Sequence, residues 1–266
     1  MLTVNELFAG IGAFRKALIR LGIPHEVVGI SEIDKYAIKS YSAIYGETRN
    51  YGDISKVERL DYADLWTYGF PCQDISLAGQ LKGIVKGKTR SGLLYEVQRL
   101  LAQAQSDDAL PKYLIMENVK NLVGKKFRPD FEGWLEWLDE LGYNNYWQVL
   151  NAVDYGIPQN RERVFCISIR KDIDTGYTFP SPIESDTVLM DKLEPVDNID
   201  DKYFLSNECV LIKKPTDGVV KQAGYIKKSE NGTQHQSNTV YYPNGAARTL
   251  TACDYKSPMM IKEEFK

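Results

Sequence analysis

The 266-residue chain is 43% hydrophobic and 26% charged, with a net charge of −3, which is ordinary for a soluble globular protein and excludes a general polyanion binder, though not a local basic groove. No run approaches the roughly 20 apolar residues of a bilayer span, and Met1 to Glu6 lack the basic-then-apolar pattern of a secretory signal, so no membrane partner is expected. The four cysteines (Cys72, Cys166, Cys209, Cys253) are scattered without a CxxC pair, so neither a metal site nor a disulfide framework is expected and a reducing cytoplasm is the simplest compartment.

In chain order, residues 4–8 read as a strand, followed by a Gly turn and a helical pattern over 14–19. A second strand is expected at 26–30, then a helix through Tyr36 and Ile38. Residues 63–66 and 113–116 read as buried strands with a helix over 93–104 between them. Residues 131–141 are amphipathic, and 164–169 form a β-branched run. The alternation predicts an α/β fold with a doubly wound, mostly parallel sheet over residues 1–180. Residues 181–266 shift to Asp, Lys, Asn, Ser, Thr and Gly and are expected to form a separate, small, loop-rich region.

Phe8-Ala9-Gly10-Ile11-Gly12-Ala13 lies between the first strand and first helix, where glycines let a backbone approach a ligand. The dinucleotide fingerprint needs a third small residue, but Arg15 holds that position, which disfavours a pyrophosphate and a dehydrogenase. Glu32, about 20 residues on, suits a ribose hydroxyl, with Asp34 as its alternative, and Asp53 could face an adenine amine. A nucleoside without a pyrophosphate satisfies all three positions, and S-adenosylmethionine is the common one.

Cys72 lies in Gly69-Phe70-Pro71-Cys72-Gln73, a loop whose Gly and Pro fix its shape and which makes poor core. An isolated cysteine is usually a small buried hydrophobe, as expected for Cys166, but this setting reads as a nucleophile. Residues 79–92 are glycine-rich and basic and read as a lid that meets phosphates. Glu117, in Met116-Glu117-Asn118-Val119, sits where a strand ends, at the ligand edge of an open α/β sheet, and could share a proton with a ring nitrogen; the alternative is a capping or salt-bridged residue. Arg161 and Arg163, in Gln159-Asn160-Arg161-Glu162-Arg163, could orient a phosphate, a carbonyl or Glu117; the alternative is a solvated charge run.

These four motifs, in this order and spacing, resemble the DNA (cytosine-5) methyltransferase family of the bacterial or phage restriction-modification type. The resemblance covers most of residues 1–170. It implies the S-adenosylmethionine-dependent methyltransferase fold, S-adenosylmethionine as cofactor with S-adenosylhomocysteine as product, and double-stranded DNA as partner. It further implies that Cys72 attacks C6 of a flipped cytosine, that Glu117 holds N3 and the exocyclic amine, and that Arg163 and Arg161 steady the base and Glu117. Phe8, Ala9, Gly10, Gly12, Glu32, Ile33, Asp53, Ile54, Phe70 and Pro71 would line the cofactor site. Ser76, Lys82, Lys88, Arg90, Arg248 and Thr249 would contact DNA, and a cognate restriction endonuclease would accompany a member of this type.

Two departures stand out. Ala13 occupies a position that is commonly a second Gly. The family's Arg-x-Leu-x-Pro-Arg-Glu-like and Gly-Asn-Ser/Ala-Val motifs are not found after Ala247-Arg248-Thr249-Leu250, which resembles the Thr-Leu element of its target recognition region. The expectation is therefore an incomplete recognition region, weak cofactor binding by this chain alone, and a complementing C-terminal polypeptide. The rival readings are an inactive or split fragment acting as a DNA- or partner-binding module, and a tRNA-methylating relative.

Overall fold

The computed structural model describes residues 1–71, 90–205, 209–211, 218–227, 233–250 and 259–262. Two compact units emerge, one of residues 1–149 and 163–179, the other of residues 150–162 and 180–266. Residues 150–162, grouped with the first region on sequence, pack with the second unit.

The first unit begins with β1 (Leu2–Leu7), α1 (Ala13–Arg20), β2 (His25–Ser31) and α2 (Lys35–Tyr45). It continues with β3 (Leu65–Tyr68), α3 (Leu94–Ser106), β4 (Tyr113–Val119), α4 (Arg128–Glu140) and β5 (Tyr143–Asn151), whose last two residues fall in the second unit. After a short β6 (Gln159–Asn160) in the second unit, β7 (Glu162–Arg170) brings the chain back. Among the described residues, the sheet order is β2-β1-β3-β4-β7-β5. Strands β2, β1, β3 and β4 run parallel, and β7 runs antiparallel to β4. The C-terminal ends of four strands therefore line one sheet edge, and the chain reverses its direction of travel across the sheet at β1, between β2 and β3. Such a switch point opens a crevice for ligands.

Helices α3 and α4 bury one stripe each, Leu94, Val97, Leu100 and Leu101 on the first and Phe131, Trp134 and Leu138 on the second. The spacing is that of one helical face. Their partners in the core are Tyr68, Phe70, Leu114, Met116, Tyr143 and Cys166. Trp134 donates its indole N–H to the Tyr68 hydroxyl at 3.3 Å, and Tyr143 donates to the Pro111 carbonyl at 2.6 Å, so both buried phenols have partners. Cys166 is an inert core thiol, and burial pushes its pKa up to about 12.

Several elements differ from expectation. Phe8 leaves β1 with φ +57°, opening the turn one residue early. The third strand is Leu65–Tyr68 because Asp64 is diverted: its carboxylate accepts from the Thr3 backbone N–H at 3.1 Å and hydroxyl at 2.9 Å, and pairs with Lys112 Nζ at 2.9 Å. β5 was not anticipated, because Tyr143-Asn144-Asn145-Tyr146 offers no apolar alternation.

The Lys112 hydrogen bond, then those from Thr3, hold the Asp64 carboxyl well below its ordinary value. A depressed carboxyl contributes stability above its unfolded pKa near 3.9 that is lost as pH falls toward the folded value. Asp64→Asn is expected to destabilise the chain by about 1–2 kcal/mol at pH 7. Denaturant unfolding should show that difference shrinking below pH 4; a constant difference down to pH 2 would refute the assignment.

In the second unit, β8 (Cys209–Leu211), β9 (Gln222–Ile226), β10 (Thr239–Tyr241) and β12 (Met260–Ile261) form a sheet in the order β12-β10-β9-β8 among the described residues. Gly224 permits its close pairing: a Cβ there would lie 2.2 Å from the Val210 carbonyl oxygen. Asn238, buried, donates to the Ile226 and Thr233 carbonyls at 2.9 and 3.1 Å and accepts from the His235 N–H at 2.6 Å. Separately, β11 (Ala247–Arg248) pairs in parallel with β6.

Candidate active site

Three loops at the C-terminal edge of the first unit's sheet carry the predicted residues. The first follows β1. Positive φ at Phe8, Gly10 and Gly12 curls Phe8 to Gly12 into a tight turn. Gly12 has no space for a side chain, since a Cβ would lie 2.5 Å from the Tyr45 ring and 2.7 Å from the Tyr41 ring. Gly10, by contrast, faces open space. The Tyr45 hydroxyl donates to the Gly12 carbonyl at 2.7 Å.

Beneath this turn lies a buried polar network that sequence reasoning missed. Glu6 is 1% exposed; it accepts from the Arg15 backbone N–H at 3.0 Å and from the Tyr41 hydroxyl. Arg15 Nη1 donates to Tyr41 at 3.3 Å and Thr48 at 3.0 Å, and its guanidinium lies against the rings of Tyr41 and Tyr45. Burial raises the Glu6 carboxyl, and the Tyr41 and Arg15 hydrogen bonds pull it partly back. Arg15 thus fills the place of a small residue by turning inward and tying α1 to α2.

The second loop follows β2. Glu32 accepts from the Gly10 N–H on Oε2 at 2.8 Å and from the Ile33 and Asp34 N–H groups on Oε1 at 2.8 and 2.9 Å. A carboxylate takes about four donors, so Oε2 keeps one position for a hydroxyl. Ile33 beside it is 71% exposed, an apolar face where the chain gains nothing by itself. Asp34 caps α2 by accepting from Tyr36 and Ala37, each at 2.8 Å. Asn50 holds both main-chain groups of Glu32, accepting from its N–H at 3.2 Å and donating to its carbonyl at 3.0 Å. Nothing in the sequence around Asn50 signals this clamp. Asp53 Oδ1 takes the Ser55 N–H and hydroxyl at 3.0 and 2.7 Å, which lower the carboxyl's pKa and leave Oδ2 as an acceptor. The side chains of Ile54 and Phe70 belong to the core, so their share in a ligand site falls to their backbones.

The third loop begins after β3. β4 runs on to Val119, so Glu117 and Asn118 are strand residues rather than followers of a strand. Glu117 Oε1 pairs with Arg163 Nε at 3.0 Å, as the sheet register, Val119 opposite Arg163, permits. The Gly69 backbone runs alongside: a Cβ there would lie 3.4 Å from the Glu117 carbonyl oxygen and 3.5 Å from Oε2. Pro71 is half-buried at the end of this stretch. Cys72, Ser76, Lys82 and Lys88 lie outside the described residues, and Arg90 opens a 3-10 turn, Arg90–Leu93.

The remaining predicted residues sit in the second unit. Asn151 fixes the Arg161 N–H at 2.9 Å and donates to the Asn160 side chain at 2.7 Å. The Thr249 hydroxyl donates to the Asn160 carbonyl at 2.6 Å. Arg248 is only 8% exposed, and its Nη1 donates to the Thr249 carbonyl at 3.0 Å. A side chain so buried differs from the surface phosphate contact expected of it.

The Gly turn after β1, Glu32 after β2 and Asp53 between α2 and β3 together fit a nucleoside with free hydroxyls and an amine. The fold matches that of the Schizosaccharomyces pombe Dnmt2 methyltransferase with a TM-score of 0.68 at 20% identity, over 98% of this chain and 74% of that one. The C-5 cytosine-specific DNA methylase profile matches residues 2–266, and the chain belongs to that family. It is 39% identical to the type II methyltransferase M2.ScrFI of Lactococcus lactis subsp. cremoris, over 79% of this chain and 72% of that protein. It is 34% identical to the orphan methyltransferase M.Rho11sI of Bacillus phage rho11s, over 94% of this chain and 58% of the phage protein. Family and fold imply S-adenosylmethionine as cofactor. Among the described residues, no helix is long and apolar enough to cross a membrane.

Proposed function

We propose that the chain methylates C5 of cytosine in a specific duplex DNA sequence. The observation that carries the reading is the Arg163–Glu117 pair at the C-terminal edge of β4, beside the Gly69 backbone that leads to Cys72.

Cytosine C5 is a poor nucleophile. The Cys72 thiolate adds to C6, forming the S–C6 bond and pushing the ring's electron pair toward C5 and N3. Glu117 hydrogen-bonds N3 and the exocyclic amine and shares a proton with N3 as charge develops there. Arg163 holds the Glu117 carboxylate in place. When bound, S-adenosylmethionine supplies an electrophilic methyl group for C5. Loss of the C5 proton to a base then expels the thiolate and restores the aromatic ring. The target base has to leave the duplex first, since C6 is not accessible to a side chain inside the stack.

In this reading Glu32 Oε2 takes a ribose hydroxyl, Asp53 Oδ2 takes the adenine amine, and Ile33 packs on the ring. The Phe8 to Gly12 turn and the Phe70–Pro71 backbone close the same pocket. The second unit reads the DNA through Thr249 and Arg161, and Ser76, Lys82, Lys88 and Arg90, from the first stretch of the chain, take phosphates.

The test is methyl transfer from cofactor tritiated in its methyl group, offered with duplex DNA and with tRNA in separate reactions. Label is expected in duplex DNA and, after hydrolysis, in 5-methylcytosine. Label confined to tRNA, or to another base, would overturn the proposal.

A further inference from the structure

Strand β5 closes one end of the first unit's sheet: among the described residues it pairs with β7 and has no strand on its outer side. Natural edge strands are commonly guarded against pairing with other chains by a lysine, a proline, a bulge or shortness. β5 is nine residues long, and its sequence, Tyr-Asn-Asn-Tyr-Trp-Gln-Val-Leu-Asn, holds neither a charge nor a proline. A groove lies against it, within the first unit, with residues 144–147 on one side and Glu136, Asp139 and Glu140 of α4 on the other. Successive side chains of a strand point to opposite faces, so a groove that touches four residues in a row runs along the strand's edge, where the backbone is. The walls are fixed in place. Asn145 donates to the Leu135 carbonyl at 3.1 Å and accepts from the Ser168 hydroxyl at 2.6 Å, which ties α4 to the sheet, and the Trp147 ring meets Phe131 edge-on at 5.5 Å. Asp139 pairs with Lys171 at 2.9 Å, whereas Glu136 and Glu140, both exposed, have no such partner among the described residues. They stand one turn apart on α4, a like-charge spacing that disfavours the helix and that a cation between them would relieve.

We propose that the β5 edge takes up an extended segment of another polypeptide as an added strand, one with lysine or arginine at alternate positions. Backbone pairing with β5 supplies affinity, and the acids of α4 select the charge. α4 covers the face that carries Asn145 and Trp147, so every second side chain of the added strand turns toward Glu136 and Glu140. A second copy of the chain fits worse, because pairing β5 with β5 about a two-fold axis through the continued sheet would set the two acid walls on the same face, against each other. The same charge turns nucleic acid away from this edge.

The test titrates the full chain, at low salt, with a fluorescein-labelled peptide of alternating lysine and valine, and with the same peptide methylated on every backbone nitrogen. The first peptide is expected to bind and to slow hydrogen exchange of the backbone amides of residues 144–147 while leaving β1 to β4 unchanged. Methylation keeps the charge and removes the N–H donors of an added strand, so it is expected to weaken binding roughly tenfold or more. Glu136→Gln combined with Glu140→Gln, both on the exposed side of α4, is expected to weaken it roughly 3–30-fold, as loss of two exposed ion pairs would. Equal affinity for the two peptides would reduce the attraction to charge alone and overturn the proposal. Equal affinity of wild type and the double variant would overturn it too, as would no binding at about 1 mM peptide. Protection of residues 144–147 that grows as the chain itself is concentrated would give the edge to a second copy, and the proposal would fall.

Discussion

Cys72→Ser is expected to lower methyl transfer to duplex DNA by at least about 1,000-fold while leaving cofactor affinity unchanged. The reason lies in the nucleophile. A thiol ionises near neutral pH and its anion is polarisable, whereas a serine hydroxyl stays protonated unless a base takes its proton. Among the described residues beside the Gly69–Pro71 stretch are Glu117, already paired with Arg163, and Asn118, which donates to Phe70. An amide is not a base, and the Glu117 carboxylate is engaged by Arg163. Initial rates with tritiated cofactor, beside a calorimetric titration of cofactor, measure both halves of the expectation. Methylation within tenfold of wild type would remove Cys72 from the chemistry.

A second large effect is expected at Gly12. Gly12→Ala must hold a side chain at φ +81° and push a methyl into two tyrosine rings. The left-handed backbone costs about 1–2 kcal/mol and the overpacking about 1–3 kcal/mol, so the sum is about 2–5 kcal/mol. The rings cannot yield independently. Tyr41 holds Glu6, Tyr45 holds the Gly12 carbonyl, and Arg15 lies against both. Moving them disturbs the turn and the joint between α1 and α2 together. Thermal unfolding should drop by roughly 4–20 °C, at the 2–4 °C per kcal/mol of a chain this size, and cofactor affinity should fall at least tenfold. Gly10→Ala is the control, because its side chain would enter open space. It should carry only the backbone strain in the free protein, so its melting temperature should fall less than that of Gly12→Ala. Equal melting temperatures for Gly12→Ala and wild type would contradict the packing described.

Much of this site could be read from the sequence because it is local. A glycine turn and an acid after the next strand declare themselves in a few residues each. Asp64 and Asn50 do not, since their partners are decided by which strands become neighbours. Thr3 and Asp64 are 61 residues apart, and Asn118 and Phe70 are 48 apart. Arg15 shows the same limit. Its position argued correctly against a small-residue fingerprint, but its inward turn toward Glu6, Tyr41 and Thr48 depends on α2. β5 escaped notice because its asparagines satisfy specific partners, Asp174 and the Leu135 carbonyl, instead of alternating with apolar residues. Arg248 looked like a surface cation because burial cannot be seen in a run of short polar residues.

The second unit is stitched from two stretches far apart in the chain. Strand β6 comes from residues 150–162 and its partner β11 from the later stretch, and the joint is reinforced by the Ala247 N–H on the Pro158 carbonyl at 2.7 Å. The Ile183 N–H on the Asp154 carbonyl at 2.9 Å and the Tyr155 hydroxyl on the Pro180 carbonyl at 2.9 Å add further stitches. On the proposed reading of the second unit, a graft meant to move DNA specificity between relatives has to carry both stretches. Transplanting the C-terminal stretch alone would pair one protein's β11 with another's β6, and the chimera would inherit a seam that neither parent had fitted.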